Sequence, residues 1–501
     1  MNQEHIPLAL TKKPWLNLTP KLVDDPRTLL IVAMAWFLFP GLTWPVFAET
    51  PTDLSAIARR TGVSLESRVG PLSFEAQEQL GALLAEPLNQ EGAVRVALLN
   101  SHRIQALLHE ARIARAEWLA ARSFPNPEIE ASTRRGDENH AEFAVLFDVS
   151  RLVFHPLKKG LANSISRAAK LRLAAAFLDE ITQVRTAFIV LQGLLHVREV
   201  LKSSMDAADA MAELATRQRK AGNVSRLEQS LQQSLRQETQ LVGLRSDAAI
   251  LAARERLAGL LGLAPSAFSI QAELTEIPPG EPDLEHLEKR ALAQRPDVMA
   301  AREEEQAAGK ALKLARLEIF PKMAAGVVTE KDQDGRKLSG PMVSMEIPVF
   351  DFGYPARARA KARRDQTHHL AAGLETQVLS EVRAAHGRLV ATKAIEVHLR
   401  ESVIPLRTQM LENALKHYNF MLTGVFQLLE AKRAEIEAMR ELLEARRDYW
   451  LARVELDQAS GWGLMTEEEA VSAEAEGTGS SPNKIRDHHL PKANNIKGSQ
   501  P

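Results

Sequence analysis

Fourteen histidines, 63 basic and 64 acidic side chains give this chain ample material for chemistry, yet little of it is arranged to act. The adjacent pair His488-His489 lies in a polar stretch, where two imidazoles alone hold a borderline cation weakly. Glu303-Glu304-Glu305 could share a proton or bind a cation, but the run falls on a charged helical segment and reads as a solvated face. No phosphate-cradling glycine loop, no Ser/His/Asp ordering and no His-x-x-x-His pair is present. The cysteine count is 0, which excludes disulfides, thiolate metal sites, cysteine nucleophiles and a lipidated N-terminal cysteine. Arg357, Arg359, Lys361, Arg363 and Arg364 form a basic cluster without the aromatic interleaving of a single-strand nucleic-acid binder. Their place between a strand and a helix suits a membrane-proximal or lumen-lining role. The net charge of −1 gives no global bias toward nucleic acid. No catalytic residue, metal site or cofactor site is therefore assigned, and an enzyme is not expected.

The elements that would position any site repeat themselves. Residues 93–265 and 285–461 each read helix, Pro-bounded strand pair, very long helix, glycine turn, helix, with landmarks about 200 positions apart. Phe124-Pro125 and Phe320-Pro321 close the first helix of each half, and Gly222 and Gly424 interrupt the long helical runs. The spacing predicts helices over 157–221, 224–261, 355–422 and 425–460. A 65-residue run of this kind would reach roughly 90–100 Å at 1.5 Å per residue. Leu429, Ile436, Leu443 and Trp450 recur every seven residues, and Leu428, Leu442, Tyr449 and Leu456 line the adjoining face. Two such seams suit coiled-coil packing against neighbours on both sides, although an ordinary bundle has the same periodicity.

Strands are expected at about 127–155 and 321–350. Phe143, Val145, Phe147 and Val149 alternate with Glu142, Ala144, Leu146 and Asp148, and Val343, Met345, Ile347 and Val349 repeat the pattern. Apolar-out, largely polar-in alternation over ~9–11 residues fits a transmembrane barrel strand as well as a half-buried hairpin of a soluble domain. Four strands cannot close a barrel, so strands in lipid would need further copies to satisfy their edges. Residues 1–48 read as a signal peptide, with Lys12, Lys13, Lys21 and Arg27 before the apolar 29–39 and a small-residue site at Val46-Phe47-Ala48. Pro40, Gly41 and Pro45 keep the apolar helix below the ~20 residues of a span. Residues 49–92 form an N-terminal extension, 266–284 a linker, and 462–501 a polar tail of disordered composition.

Several short segments, in order and at matching spacing, carry a resemblance. They are Ala97-Leu98-Leu99-Asn100, Ser123-Phe124-Pro125-Asn126-Pro127, Ala221-Gly222-Asn223-Val224 and Leu260-Leu261-Gly262 in the first half. In the second they are Arg295-Pro296-Asp297-Val298, Phe320-Pro321, Ile347-Pro348-Val349-Phe350-Asp351-Phe352-Gly353, and Tyr418 ahead of Gly424. On these the chain resembles the TolC family of outer-membrane efflux proteins, with Phe147-Asp148 through His155-Pro156-Leu157-Lys158-Lys159 most like its heavy-metal efflux branch.

The resemblance implies a mainly α fold with a small β part. Long helical hairpins would form a trimeric α-barrel in the periplasm, and four strands per chain would complete a twelve-stranded β-barrel in the outer membrane of a Gram-negative bacterium. The implied partners are two further copies of the chain, a periplasmic adaptor (membrane fusion) protein, an inner-membrane transporter of the RND type and outer-membrane lipid, with metal ions or small toxic compounds as substrates. Gly222, Asn223, Val224 and Ser225, with Met421, Leu422, Thr423, Gly424 and Val425, map to the periplasmic tip where an adaptor docks. Glu430 falls where family members place an acidic constriction residue, but Arg433 replaces a second one. The other reading is a periplasmic coiled-coil adaptor or scaffold, which should carry one long hairpin rather than two.

Overall fold

The computed structural model describes residues 74–134, 140–280, 282–317, 320–331, 336–347 and 349–461. The expected signal peptide, residues 49–73 of the extension, the strand turns near 136–139 and 332–335, and the polar tail lie outside the described residues.

Two halves of like plan follow one another. The first contains α1 (Phe74–Ala85), α2 (Gln90–Asn100), α3 (His102–Arg122), β1 (Glu128–Arg134), β2 (His140–Asp148), α4 (Val149–Lys220) and α5 (Arg226–Leu261). The second contains α6 (Leu284–Gln294), α7 (Pro296–Arg316), β3 (Lys322–Lys331), β4 (Lys337–Glu346), α8 (Tyr354–His398), a π-turn (Leu399–Val403), α9 (Ile404–Asn419) and α10 (Val425–Ser460). The returning helices α5 and α10 are both 36 residues long, and each stops at a left-handed glycine, Gly262 or Gly461.

α4 is longer than its sequence suggests. Its 72 residues begin at Val149, because the Asp148 carboxylate accepts the Arg151 backbone N–H at 2.8 Å and caps the helix there. Val149 is thus the first helical residue and not the last of a strand, and Pro156 lies inside the helix. In the second half β4 ends at Glu346, so Ile347 and Val349 also fall beyond the strand. The helix expected over 355–422 runs without interruption from Tyr354 to Asn419, but its hydrogen bonding widens to a π-turn over Leu399–Val403, just ahead of Pro405, whose missing N–H cannot join the α-helical ladder.

Each half buries its own core. Val94, Leu98, Ile104, Phe177, Phe188 and Leu257 pack α2–α5, while Leu287, Val298, Val378, Leu389, Tyr449 and Leu456 pack α6, α7, α8 and α10. Ile189, Leu274 and Val454, then Val197, Leu201 and Leu443, join the halves along α4 and α10. Gly193 permits that contact, since a Cβ there would lie 2.7 Å from Cγ of Arg447. Of the heptad positions, Ile436, Leu442, Leu443, Tyr449 and Leu456 are buried while Leu428, Leu429 and Trp450 are half-buried, so the periodicity seen in sequence is the packing seam of the C-terminal part of α10.

The same clasp closes both halves at the bend between their short helices. Asn100 Nδ2 donates to the Leu261 and Gly262 carbonyls at 3.1 and 2.8 Å, tying α2 to the end of α5. Arg295 does this in the second half, donating to the Ala459 carbonyl (3.0 Å), to Glu381 (2.8 Å) and through two nitrogens to Asp297 (2.7 and 3.1 Å). Burial alone would raise the Asp297 carboxyl, but hydrogen bonding and the charge of Arg295 hold it below the usual aspartate range. Glu180 is pushed the other way, upward, by burial in the first core, against the pull of Arg103 at 2.8 Å.

The strands of the two halves meet in one antiparallel sheet of order β1-β2-β3-β4. β2 and β3 pair from Ala141↔Lys331 to Asp148↔Ala324, so the sheet crosses the boundary between the halves, and β1 and β4 form its edges.

Candidate functional site

The register sorts the side chains of the sheet into two faces, because cross-strand partners share a side. Ile129↔Val145↔Val327↔Pro341, Phe147↔Ala325↔Val343 and Met323↔Met345 lie on one face. Ile129, Phe143, Phe147, Met323, Val327, Val343 and Met345 on this face are all exposed. Glu128, Glu130, Ser132, Glu142, Glu330, Lys322 and Glu346 belong to the other face, where Lys322 pairs with Glu346 at 3.2 Å. β2 departs from the expected polar side, since Ala144 and Leu146 there are buried. The polar face is thus contributed mostly by β1 and by the ends of β3 and β4. Among the described residues no helix is long and apolar enough to cross a membrane.

The two helical turns are built alike. At the first, Gly222 has φ 79, its N–H reaches the Arg219 carbonyl at 3.0 Å, and the Asn223 N–H reaches the Gln218 carbonyl at 2.9 Å. These paired bonds form a Schellman motif, which satisfies the last free carbonyls of the helix. Ser225 then caps α5, its Oγ accepting from the Glu228 N–H at 3.0 Å. At the second turn the same two bonds run from Met421 N to Tyr418 O and from Leu422 N to His417 O, both 2.9 Å.

The left-handed position there is Met421, with φ 58, and not Gly424. Gly424 has φ −76 and takes the capping place that Ser225 holds in the first turn. Its N–H donates to Gln427 Oε1 at 2.7 Å, the mirror of the Ser225–Glu228 cap. Sequence comparison of the halves pairs the two glycines; backbone geometry pairs Gly222 with Met421 and Ser225 with Gly424. The signal that reveals this is the distance of each residue from the start of the returning helix.

Met421 is 93% exposed, and Phe420 and Leu422 beside it are exposed too. A bulky residue in the left-handed region costs about 1–2 kcal/mol relative to glycine, and no packing of Met421 offsets it. Asn223 and Val224 complete the first turn, with the Val224 carbonyl 3.4 Å from Arg219 Nη1. Val425 begins α10, and Thr423 has a buried hydroxyl oxygen without a hydrogen-bond partner. Glu430 and Arg433 lie on the exposed side of α10, 3.8 Å apart, too far for a strong hydrogen-bonded pair.

Among the described residues no group of three or more His, Asp or Glu side chains is placed to hold a metal ion. His368 contacts Glu305 at 2.9 Å on the surface, and the remaining acids of that run, Glu303 and Glu304, pair with Arg167 and Arg172. They serve as struts between α7 and its neighbours.

No protein-family model matches the chain. In sequence it is similar to the cobalt-zinc-cadmium resistance protein CzcC of Cupriavidus metallidurans, with 23% identity over 375 residues, 73% of this chain and 86% of that protein. In fold it is similar to the CmeC outer membrane channel of Campylobacter jejuni (TM-score 0.66, 15% identity, 82% of this chain and 91% of that one). It is also similar to the outer-membrane channel OprN (TM-score 0.64, 19% identity, 79% and 94%). CusC, whose transmembrane channel formation has been described, aligns with TM-score 0.61 and 15% identity over 76% and 92%. The chain therefore has the fold of the TolC-family outer-membrane channels, and its sequence resembles a heavy-metal resistance member. The solved relatives are channels and not enzymes.

Proposed function

We propose that the chain is one protomer of a trimeric outer-membrane exit duct. The observation that carries this reading is the four-stranded sheet, with an exposed apolar face, an acidic opposite face and two unpaired edges at β1 and β4. An open edge in lipid leaves backbone groups unsatisfied at several kcal/mol each. Pairing β1 of one copy with β4 of the next removes both edges, and three copies supply twelve strands. The helical hairpins α4–α5 and α8–α10 then extend into the periplasm as a tunnel, ending at the two turns.

At those turns Phe420, Met421 and Leu422 offer an apolar docking surface to a periplasmic adaptor, and the adaptor links the duct to an inner-membrane transporter of the RND type. Residues 1–48 direct export. The similarity to CzcC favours metal ions as cargo over other small toxic compounds.

Separation of inner from outer membranes, followed by light scattering of the detergent-extracted native protein, tests the assignment. A trimer in the outer-membrane fraction is expected. A soluble or inner-membrane monomer would remove the shared barrel and leave an adaptor or scaffold in its place.

A further inference from the structure

The second turn carries a thioether that the chain leaves uncovered. Met421 is 93% exposed, whereas Met345 at 48% and Met410 at 44% are the next most open methionines among the described residues. Met211 is buried, and Met205 packs between α4 and α5, its sulfur 2.7 Å from where a Cβ on Gly243 would stand. Met323 and Met345 lie on the apolar face of the sheet, which lipid covers in a membrane barrel. With no cysteine in the chain, no thiol competes for an oxidant, and methionine is the sulfur that remains.

A thioether has no proton to lose, so the approach of the oxidant, and not a pKa, governs its reaction. With hydrogen peroxide, a sulfur lone pair attacks one oxygen, an S–O bond forms and the O–O bond breaks. The proton on the transferred oxygen passes to the departing hydroxide, which leaves as water. Sulfur gives up two electrons, peroxide takes them, and the product is methionine sulfoxide.

The turn itself tolerates this change. Its two closing bonds run from the Met421 and Leu422 N–H groups to the Tyr418 and His417 carbonyls, and neither involves the sulfur. The new oxygen would stand in water, fully hydrated, in the free chain. It would also put a strong hydrogen-bond acceptor between Phe420 and Leu422, in the middle of an apolar exposed surface. A partner that covers those residues must strip that oxygen of water without pairing it.

We propose that Met421 is a site of oxidative modification by hydroperoxides, and that its sulfoxide keeps the second turn from docking. The inference rests on the reading of this turn as the docking surface for a periplasmic adaptor. A docked adaptor covers the sulfur, so the modification acts on free ducts. A thiol-dependent sulfoxide reductase reverses it, which makes the site a switch and not only a lesion.

The full-length duct, extracted in detergent free of its partners, is treated with dilute hydrogen peroxide, and oxidation is mapped by peptide mass spectrometry. Treated and untreated duct are then mixed with a detergent extract of a strain lacking the chain, and the assembled pump is read on native gels. Met421 should gain oxygen before the other described methionines, and assembly should weaken about tenfold or more. Methionine sulfoxide reductase should restore it. In Met421→Leu, the amount of complex, whatever its starting level, should not change with peroxide. Oxidation of Met421 no faster than that of Met410 overturns the site. If Met421 is oxidised and assembly is unchanged, or falls equally in Met421→Leu, the switch is overturned; docking through this turn still stands provided Met421→Asp abolishes the complex. If untreated duct and Met421→Asp behave alike, the docking reading falls and the switch falls with it.

Discussion

The position that decides the character of the tip is Met421. Gly222 shows what the turn requires, a residue at home in the left-handed region, and glycine meets that need without steric cost. The second turn makes the same two hydrogen bonds with methionine in that place, its side chain standing almost entirely in solvent. Nothing among the described residues packs on that side chain, so the compensation is expected from a partner that buries the thioether. Met421→Gly should stabilise the turn by about 1 kcal/mol, seen as slower amide hydrogen exchange over residues 418–424, while weakening adaptor binding. Met421→Asp or Leu422→Asp should leave the trimer intact and abolish assembly of the pump. Unchanged transport in the aspartate variants would show that the tip does not dock through its apolar residues.

At the level of elements, the sequence made the hairpins readable and left their junctions obscure. The heptads of α10 and the stops at Gly262 and Gly461 follow from local rules, so its helical range 425–460 matches the structure. The strand-to-helix junction does not. Val149 keeps the alternation of β2, and Pro156 looks like a boundary, yet the Asp148 cap starts the helix before either. Pairing across the halves was also hidden, because the register of β2 on β3 depends on contacts between residues far apart in sequence. Gly326 is the product of that register: a Cβ there would fall 1.8 Å from the Val145 carbonyl oxygen. Gly326→Val should therefore force β2 and β3 apart. Loss of trimer on native gels, with helix content by circular dichroism retained, is the expected result; a normal trimer would mean that the central pairing is looser than this contact requires.

For the whole molecule, the proposed trimeric duct carries a prediction about the ions it favours at its periplasmic end. Three copies would place three Glu430 carboxylates and three Arg433 guanidiniums near one axis, where each charge acts on a permeating ion more strongly than an exposed residue in bulk water. Within a chain the two groups stand 3.8 Å apart and are both well exposed, so neither is neutralised by a tight pair. Arg433 then sets a positive charge against the carboxylate ring, and the mouth should be less cation-selective than one lined by acids alone. In planar bilayers under a salt gradient, Arg433→Ala should shift the reversal potential toward cations, Glu430→Gln should shift it toward anions, and the double variant should fall between the two. High salt should shrink all three differences as screening shortens the reach of each charge. Equal reversal potentials across the series would place both residues on the outer wall of the tunnel, away from the path of the cargo.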